Sequence, residues 1–366
     1  MTALDASVVA ALRYQRDAPA TSPMYRHALR VVVDDIERSE AGPCGSVLAH
    51  TPAGIDPQRD ALPLRFLGGI HRIVLEGRAP DLARFYPSVG GTFDPSWPAG
   101  FADVFIATVR DHHDELVAEL ARPVQTNEVG RCAALLLGFL AVARSTGLPL
   151  RVLEIGASAG LNLRWSRYRY EGGAGGSAWG DAASVLRFEG VFEPPLPDLD
   201  VPVEVAEARG CDRDPIDATS EAGALTLRSF VWADQTERFR ALDAALQLAP
   251  SLPVVLERAD AADWVERELA VAQAGQATVV EHSIVWQYLS RPARHRIRDA
   301  IEHAGARASR DAPVAWLRME PGQDAANSAE VRLTLWPGAH AVLVARTGYH
   351  GRPVQSIGEP ALPTIR

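Results

Sequence analysis

The sequence predicts an α/β protein in two parts, an N-terminal helical cap over residues 1–147 and a mostly parallel sheet with an antiparallel C-terminal meander over 148–366. Three observations carry this prediction. Up to Leu148 apolar residues recur at helical spacing, beyond Gly147 short β-rich runs alternate with helical stretches, and the last runs are separated only by tight turns.

Within the cap, Ser22-Pro23 supplies an N-cap and a first-turn proline ahead of Met24 to Glu40, and Ala102 to Leu120 follows at helical spacing. Glycine and proline clusters at Gly42 to Gly45 and Tyr86 to Gly100 divide these helices. Cys132 to Ala143 is apolar over 12 residues, which suits a buried helix and falls short of the roughly 20 that cross a bilayer. Five strand runs follow, Arg151 to Ile155, Val203 to Asp212, Pro253 to Asp260, Ala277 to Val285 and Pro313 to Glu320, alternating with helical stretches as a parallel sheet requires. Val331 to Trp336, His340 to Thr347 and Pro353 to Ile357 then read as a meander closing one edge of the sheet. Between the first two strands lies an insertion at about 168–202, in which Arg167 to Glu171 and Val185 to Glu189 flank a glycine tract, Gly172 to Gly180, as a β-hairpin excursion or a mobile lid.

Composition narrows the function classes. With 47% hydrophobic and 23% charged residues the chain is a folded globular protein. A net charge of −9 argues against general nucleic-acid binding, because lysine and arginine supply most of that affinity. Cys44, Cys132 and Cys211 are too far apart for a disulfide framework or a structural zinc site, so no metal is expected. The N-terminus lacks a basic start, an apolar segment and a small-residue cleavage site, so the expected compartment is the cytoplasm, with no membrane partner. A small molecule or a protein side chain is the expected substrate.

The segment Arg151 to Arg164 reads as a buried strand, a tight glycine turn and a helix beginning near Ser158. Gly156 and Gly160 would let a ligand approach the backbone, and a helix start would offer free N–H groups. Ser158 occupies the middle place of the turn, and Glu154 precedes the first glycine by two. This departs from the dinucleotide fingerprint, since a carboxylate at the end of the first strand repels a pyrophosphate and attracts an ammonium group. Asp212 ends the second strand, where an acid can hold ribose hydroxyls or cap a helix. It lies 56 residues beyond Gly156 rather than the usual ~20, which the insertion accounts for. Upstream, Arg131 is a candidate partner for a ligand carboxylate, whereas Thr126 or Asn127 caps the following helix. Asp111 to Glu115 carries metal-capable side chains, but adjacent helical positions diverge and the run reads as a solvated face.

Glu154-Ile-Gly-Ala-Ser-Ala-Gly160 resembles the acid-x-Gly-x-Gly-x-Gly motif of class I S-adenosylmethionine-dependent methyltransferases, with serine replacing the central glycine. Together with Gln125 to Arg131, Phe230 to Leu242 and Ala345 to Arg352, the segment Glu154 to Tyr170 also resembles a bacterial family, domain of unknown function 2332, over nearly the whole chain. The resemblance implies a Rossmann-like class I methyltransferase sheet with S-adenosylmethionine as cofactor. After the third strand, Asp260 resembles the acid that meets the adenine amino group in Rossmann-like methyltransferases, and Asp263 is the candidate helix cap. In the arrangement of class I methyltransferases, which this strand order resembles, the end of the fourth strand faces the reactive methyl, making His282 the candidate general base with Glu281 and Ser283 as supporting polar groups. Glu154, Gly156, Ser158, Gly160, Asp212, Asp260 and Arg131 would then hold the cofactor, with the helical cap enclosing the acceptor. Two alternatives stay open: a non-catalytic ligand-binding or regulatory protein, and a nicotinamide-dependent enzyme.

Overall fold

The computed structural model describes residues 4–173, 176–322, 328–358, 362 and 364–365. The chain forms two compact units, one of Met1–Thr126 with Ser220–Asp243, the other of Asn127–Thr219 with Ala244–Arg366. The expected boundary at 147 is displaced because the helix Arg131–Thr146 is buried nearly all round and packs on the sheet of the second unit. Conversely, Ser220–Asp243, inside the expected sheet region, contributes to the helical unit.

The helical unit is built as its capping signals suggest. Ser22 Oγ accepts from the Tyr25 N–H at the start of helix Pro23–Arg38. The run expected as one helix from Ala102 is two, Phe101–Asp111 and His113–Glu119. These elements share a core of Leu29, Val32, Phe66, Ile70, Phe101 and Phe105 with their neighbours. Gly68 allows the Phe230 ring to within 2.7 Å of where a Cβ would stand, which ties Ser220–Asp243 into this core.

The second unit holds strands β1 (Leu150–Ile155), β2 (Arg169–Glu171), β3 (Ala178–Gly180), β4 (Arg187–Phe188), β5 (Phe192–Glu193), β6 (Val205–Asp212), β7 (Val255–Arg258), β8 (Ala277–Ser283), β9 (Val314–Pro321), β10 (Ser328–Trp336), β11 (His340–Gly348) and β12 (Val354–Ser356). Nine of them form one sheet in the order β5-β12-β11-β10-β9-β8-β1-β6-β7. From β9 through β7 all neighbours are parallel, and β9 through β12 form the antiparallel meander. The meander does not close the edge. β5, from the insertion, adds a further strand parallel to β12.

The insertion contains the expected hairpin, β2 with β3, and β4 joins it in a three-stranded sheet. It is anchored, since Trp165 stacks between Phe139 and Trp179, and the Tyr170 hydroxyl donates to the Trp165 carbonyl. Ala174 and Gly175 of its glycine tract lie outside the described residues. On one face of the main sheet Arg131–Thr146 packs so closely that a Cβ on Gly138 would stand 2.2 Å from a Leu317 methyl. Helices Ala261–Glu268 and Arg291–Ala306 cover the other face, over Leu153, Val280 and Trp316. Among the described residues no helix is long and apolar enough to cross a membrane.

Candidate functional site

β1 occupies the position where the chain reverses its direction of travel across the sheet. β6 and β7 are laid down on one side of it and β8 and β9 on the other. In open parallel sheets such a switch point opens a crevice beyond the carboxyl ends of the strands, and ligands bind there. Ile155 and Ser283 end the two strands at this point.

The turn that leaves β1 differs from the expected helix start. Ser158 is left-handed (φ 53°), and a 3-10 helix, Asn162–Arg167, follows in place of an α-helix. Its N–H groups are not free. Gly156 and Ala157 donate to the Cys211 carbonyl, Ser158 to Asp212 Oδ2, Gly160 to the Ala157 carbonyl, and Ala159 and Leu161 both donate to Asn127 Oδ1. With every donor from Gly156 to Leu161 committed, the turn has no nest of N–H groups for a pyrophosphate. The left-handed Gly156 (φ 69°) serves close packing instead, since a Cβ there would lie 2.4 Å from Val285 Cγ2.

Glu154 and Glu281 stand opposite one another in register on β1 and β8, 3% and 1% exposed, on the face covered by Arg131–Thr146. Among the described residues Glu154 Oε2 and both oxygens of Glu281 are buried without a hydrogen-bond partner. Burial raises the Glu154 carboxyl well above the usual range and the Glu281 and Asp212 charges add to this, while Arg131 and a hydrogen bond with Asn162 act against it. Burial raises Glu281 as well. The same carboxylates, with Glu128, reinforce the effect of burial on the Cys132 thiol, which is held far above its ordinary value. A buried cluster of acidic groups beside Arg131 suits a cationic ligand or a shared proton.

The structure divides the other predicted residues. Arg131 is near the pair, but its Nε donates to the Tyr349 carbonyl and its Nη1 to the Ser283 carbonyl, contacts that hold β8 and the β11–β12 loop together. Asp212 ends β6 as expected. Rather than capping a helix it accepts from the N–H groups of Ser158 and Asp214, and Ser220 caps the next helix. Asp260 caps Ala261–Glu268 through the N–H groups of Ala262 and Asp263, whereas Asp263, the expected cap, pairs with Arg296. Asn127 caps the β1 turn, and helix Arg131–Thr146 begins at Gly130 with no side-chain cap.

His282 does not join Glu281 and Ser283. Successive strand residues point to opposite faces, so His282 lies under helix Arg291–Ala306, with its Nδ1 2.7 Å from Glu320 Oε1 and its ring stacked on Trp286. Among the described residues no group of three His, Cys, Asp or Glu side chains is placed to hold a metal ion. In the Asp111 to Glu115 run, His113 meets Ser46, and Glu115 pairs with Arg78.

Sequence reasoning assigned Asn127 to the wrong cap and missed Glu128, Asn162 and Glu320. Two distant motifs converge beside the carboxylate pair: His350 Nδ1 lies 3.1 Å from Glu128 Oε2, and Gly351 lets its backbone pass so near Gly130 that a Cβ would stand 2.2 Å from the Gly130 carbonyl oxygen. A left-handed Gly351 (φ 77°) in an otherwise β-rich run is the one signal of this contact in the chain itself.

No curated protein and no solved structure matches the chain. A family model described as an uncharacterised protein conserved in bacteria, DUF2332, spans residues 11–356, and the chain belongs to that family.

Proposed function

We propose that the second unit binds S-adenosylmethionine at the switch point and transfers its methyl group to a small molecule or protein side chain. The observation that carries this reading is the Glu154–Glu281 pair, with three oxygens lacking partners at the end of the central strands. S-adenosylmethionine presents an ammonium and a sulfonium, and buried carboxylates are the groups that would receive such charges. Glu154 and Glu281 would hold the amino-acid end. Asp212 keeps acceptor capacity for ribose hydroxyls, because each of its oxygens receives one hydrogen bond. Asp260 would meet the adenine edge with the oxygen its capping bonds leave aside. When bound, the cofactor supplies an electrophilic methyl group, and the protein's part is alignment.

The committed N–H groups of the β1 turn and the surrounding carboxylates weigh against a nicotinamide dinucleotide. A second reading, a ligand-binding protein that performs no chemistry, draws support from His282, whose ring lies on the opposite face of the sheet from the pair. Isothermal titration with S-adenosylmethionine, S-adenosylhomocysteine and NAD tests the leading proposal. Saturable binding of the adenosyl ligands, weakened at least tenfold by Glu154→Gln, is expected. No heat from folded protein at high micromolar ligand, or preferential NAD binding, refutes it.

A further inference from the structure

A second group of unpartnered buried polar atoms lies on the opposite face of the sheet. In register on β8 and β9 stand His282 and Arg318, with Trp316 and Glu320 two residues to either side of Arg318. Strand alternation puts all four on one face. His282 Nε2, Trp316 Nε1, Arg318 Nε and Glu320 Oε2 are each buried without a hydrogen-bond partner among the described residues. Such atoms are rare in folded proteins, and four in one cluster mark a place built for something polar.

The cluster has a definite donor and acceptor inventory. Glu320 Oε1 accepts from the N–H groups of Val285 and Trp286 and lies 2.7 Å from His282 Nδ1, so in the neutral ring Nδ1 carries the hydrogen and Nε2 is an acceptor. Glu320 Oε2 is a second acceptor. Trp316 Nε1–H and Arg318 Nε–H are donors. The Arg318 guanidinium lies 4.2 Å from the Trp316 ring centre, so its charge rests on an aromatic face. Arg298 and Arg332 add positive charge around Arg318, and Glu320 offsets part of it. The side chain of Glu320 is 18% exposed.

We propose that this face binds a small hydroxycarboxylate. Its carboxylate would take the Arg318 and Trp316 donors, and its hydroxyl would give its hydrogen to Glu320 Oε2 or His282 Nε2. One net negative charge suits the arginine excess better than a zwitterion. The proposal stands apart from the reading of the carboxylate pair, which lies on the other face.

The test follows the Trp316 indole N–H by NMR, assigned with Trp316→Phe, during titration with glycolate, acetate, glycine and inorganic phosphate. Saturable shifts with glycolate are expected in the millimolar range, with acetate, glycine and phosphate at least tenfold weaker. Arg318→Met should abolish the shift while the melting temperature of the full chain holds. Should that variant misfold, Glu320→Gln must narrow the preference for glycolate over acetate. No saturation with glycolate, equal binding of acetate or phosphate, or a response that survives in folded Arg318→Met overturns the proposal.

Discussion

Glu154 on β1 and Glu281 on β8 share one register position on neighbouring parallel strands, buried together where the chain reverses direction across the sheet. Three of their oxygens have no hydrogen-bond partner among the described residues. Two carboxyls placed this way destabilise each other's ionised form, so the fold carries a cost here that a packed apolar pair would not.

The first prediction follows from that cost. An unfolded glutamate ionises near pH ~4.3, whereas burial raises folded Glu281 above this. Between the two values the folded state binds the extra proton, so this group's contribution to stability falls as pH rises through the window. Glu281→Gln cannot ionise, and its stability relative to the natural chain should climb by on the order of 1–3 kcal/mol from pH 5 to pH 8. Urea titrations at both pH values measure the gap. A gap independent of pH would show that Glu281 is ionised in the folded state at both.

His71, in the helical unit, works with the opposite sign. It is fully buried, with Nδ1 3.2 Å from the Ser229 carbonyl oxygen and Nε2 2.8 Å from Ser88 Oγ, which suits the neutral ring. Burial lowers it to about 4. The unfolded chain therefore takes up the proton first as pH falls, and stability is full above pH ~6.5 and lost on the way down to ~4, by about 3 kcal/mol at most. Thermal melts of the natural chain and His71→Gln at pH 7.5 and 5 should converge at the lower pH. Parallel curves would mean the ring is not held neutral.

Two glycines separate backbone strain from steric exclusion. Gly190 and Gly351 are both left-handed, but a Cβ on Gly190 meets nothing within 4 Å, whereas one on Gly351 meets the Gly130 carbonyl oxygen at 2.2 Å. Gly190→Ala should cost about 1 kcal/mol from its backbone angle alone. Gly351→Ala should cost at least ~2 kcal/mol more, because backbone must move to admit it. Equal losses in chemical denaturation would mean that the contact between these two motifs is looser than the structure has it.

Much of this was legible in the chain. Short β-branched runs with turn signals between them gave the parallel strands and the meander, because strand character is local. Asp212 and Glu154 fell at strand ends for the same reason. The turn after β1 was not legible, since its acceptors arrive from Asn127, before the strand, and Asp212, far beyond it. Grouping His282 with Glu281 overlooked a local rule, as a period of two sends neighbours to opposite faces. Its partner Glu320 belongs to another strand, and only sheet order brings the two together. The units, too, interleave because Ser220–Asp243 finds its apolar partners in the first unit.

Asn127 puts the organisation of the β1 turn to its sharpest test. One side-chain oxygen accepts from the N–H groups of Ala159 and Leu161, at 3.3 and 2.8 Å, and all three residues are buried. Asn127→Ala removes that acceptor and leaves two donors unpaired in a site with little room for water, at ~1–3 kcal/mol for each donor left unsatisfied. The expected total is on the order of 2–4 kcal/mol, reduced where the turn relaxes. Amide hydrogen exchange should show the loss locally, with Ala159 and Leu161 exchanging faster while Val152 and Leu153 in β1 keep their protection in proportion to global stability. If these two amides exchange no faster than the strand, Asn127 does not hold the turn. Two of the six committed donors that weigh against a pyrophosphate, Ala159 and Leu161, would then be free.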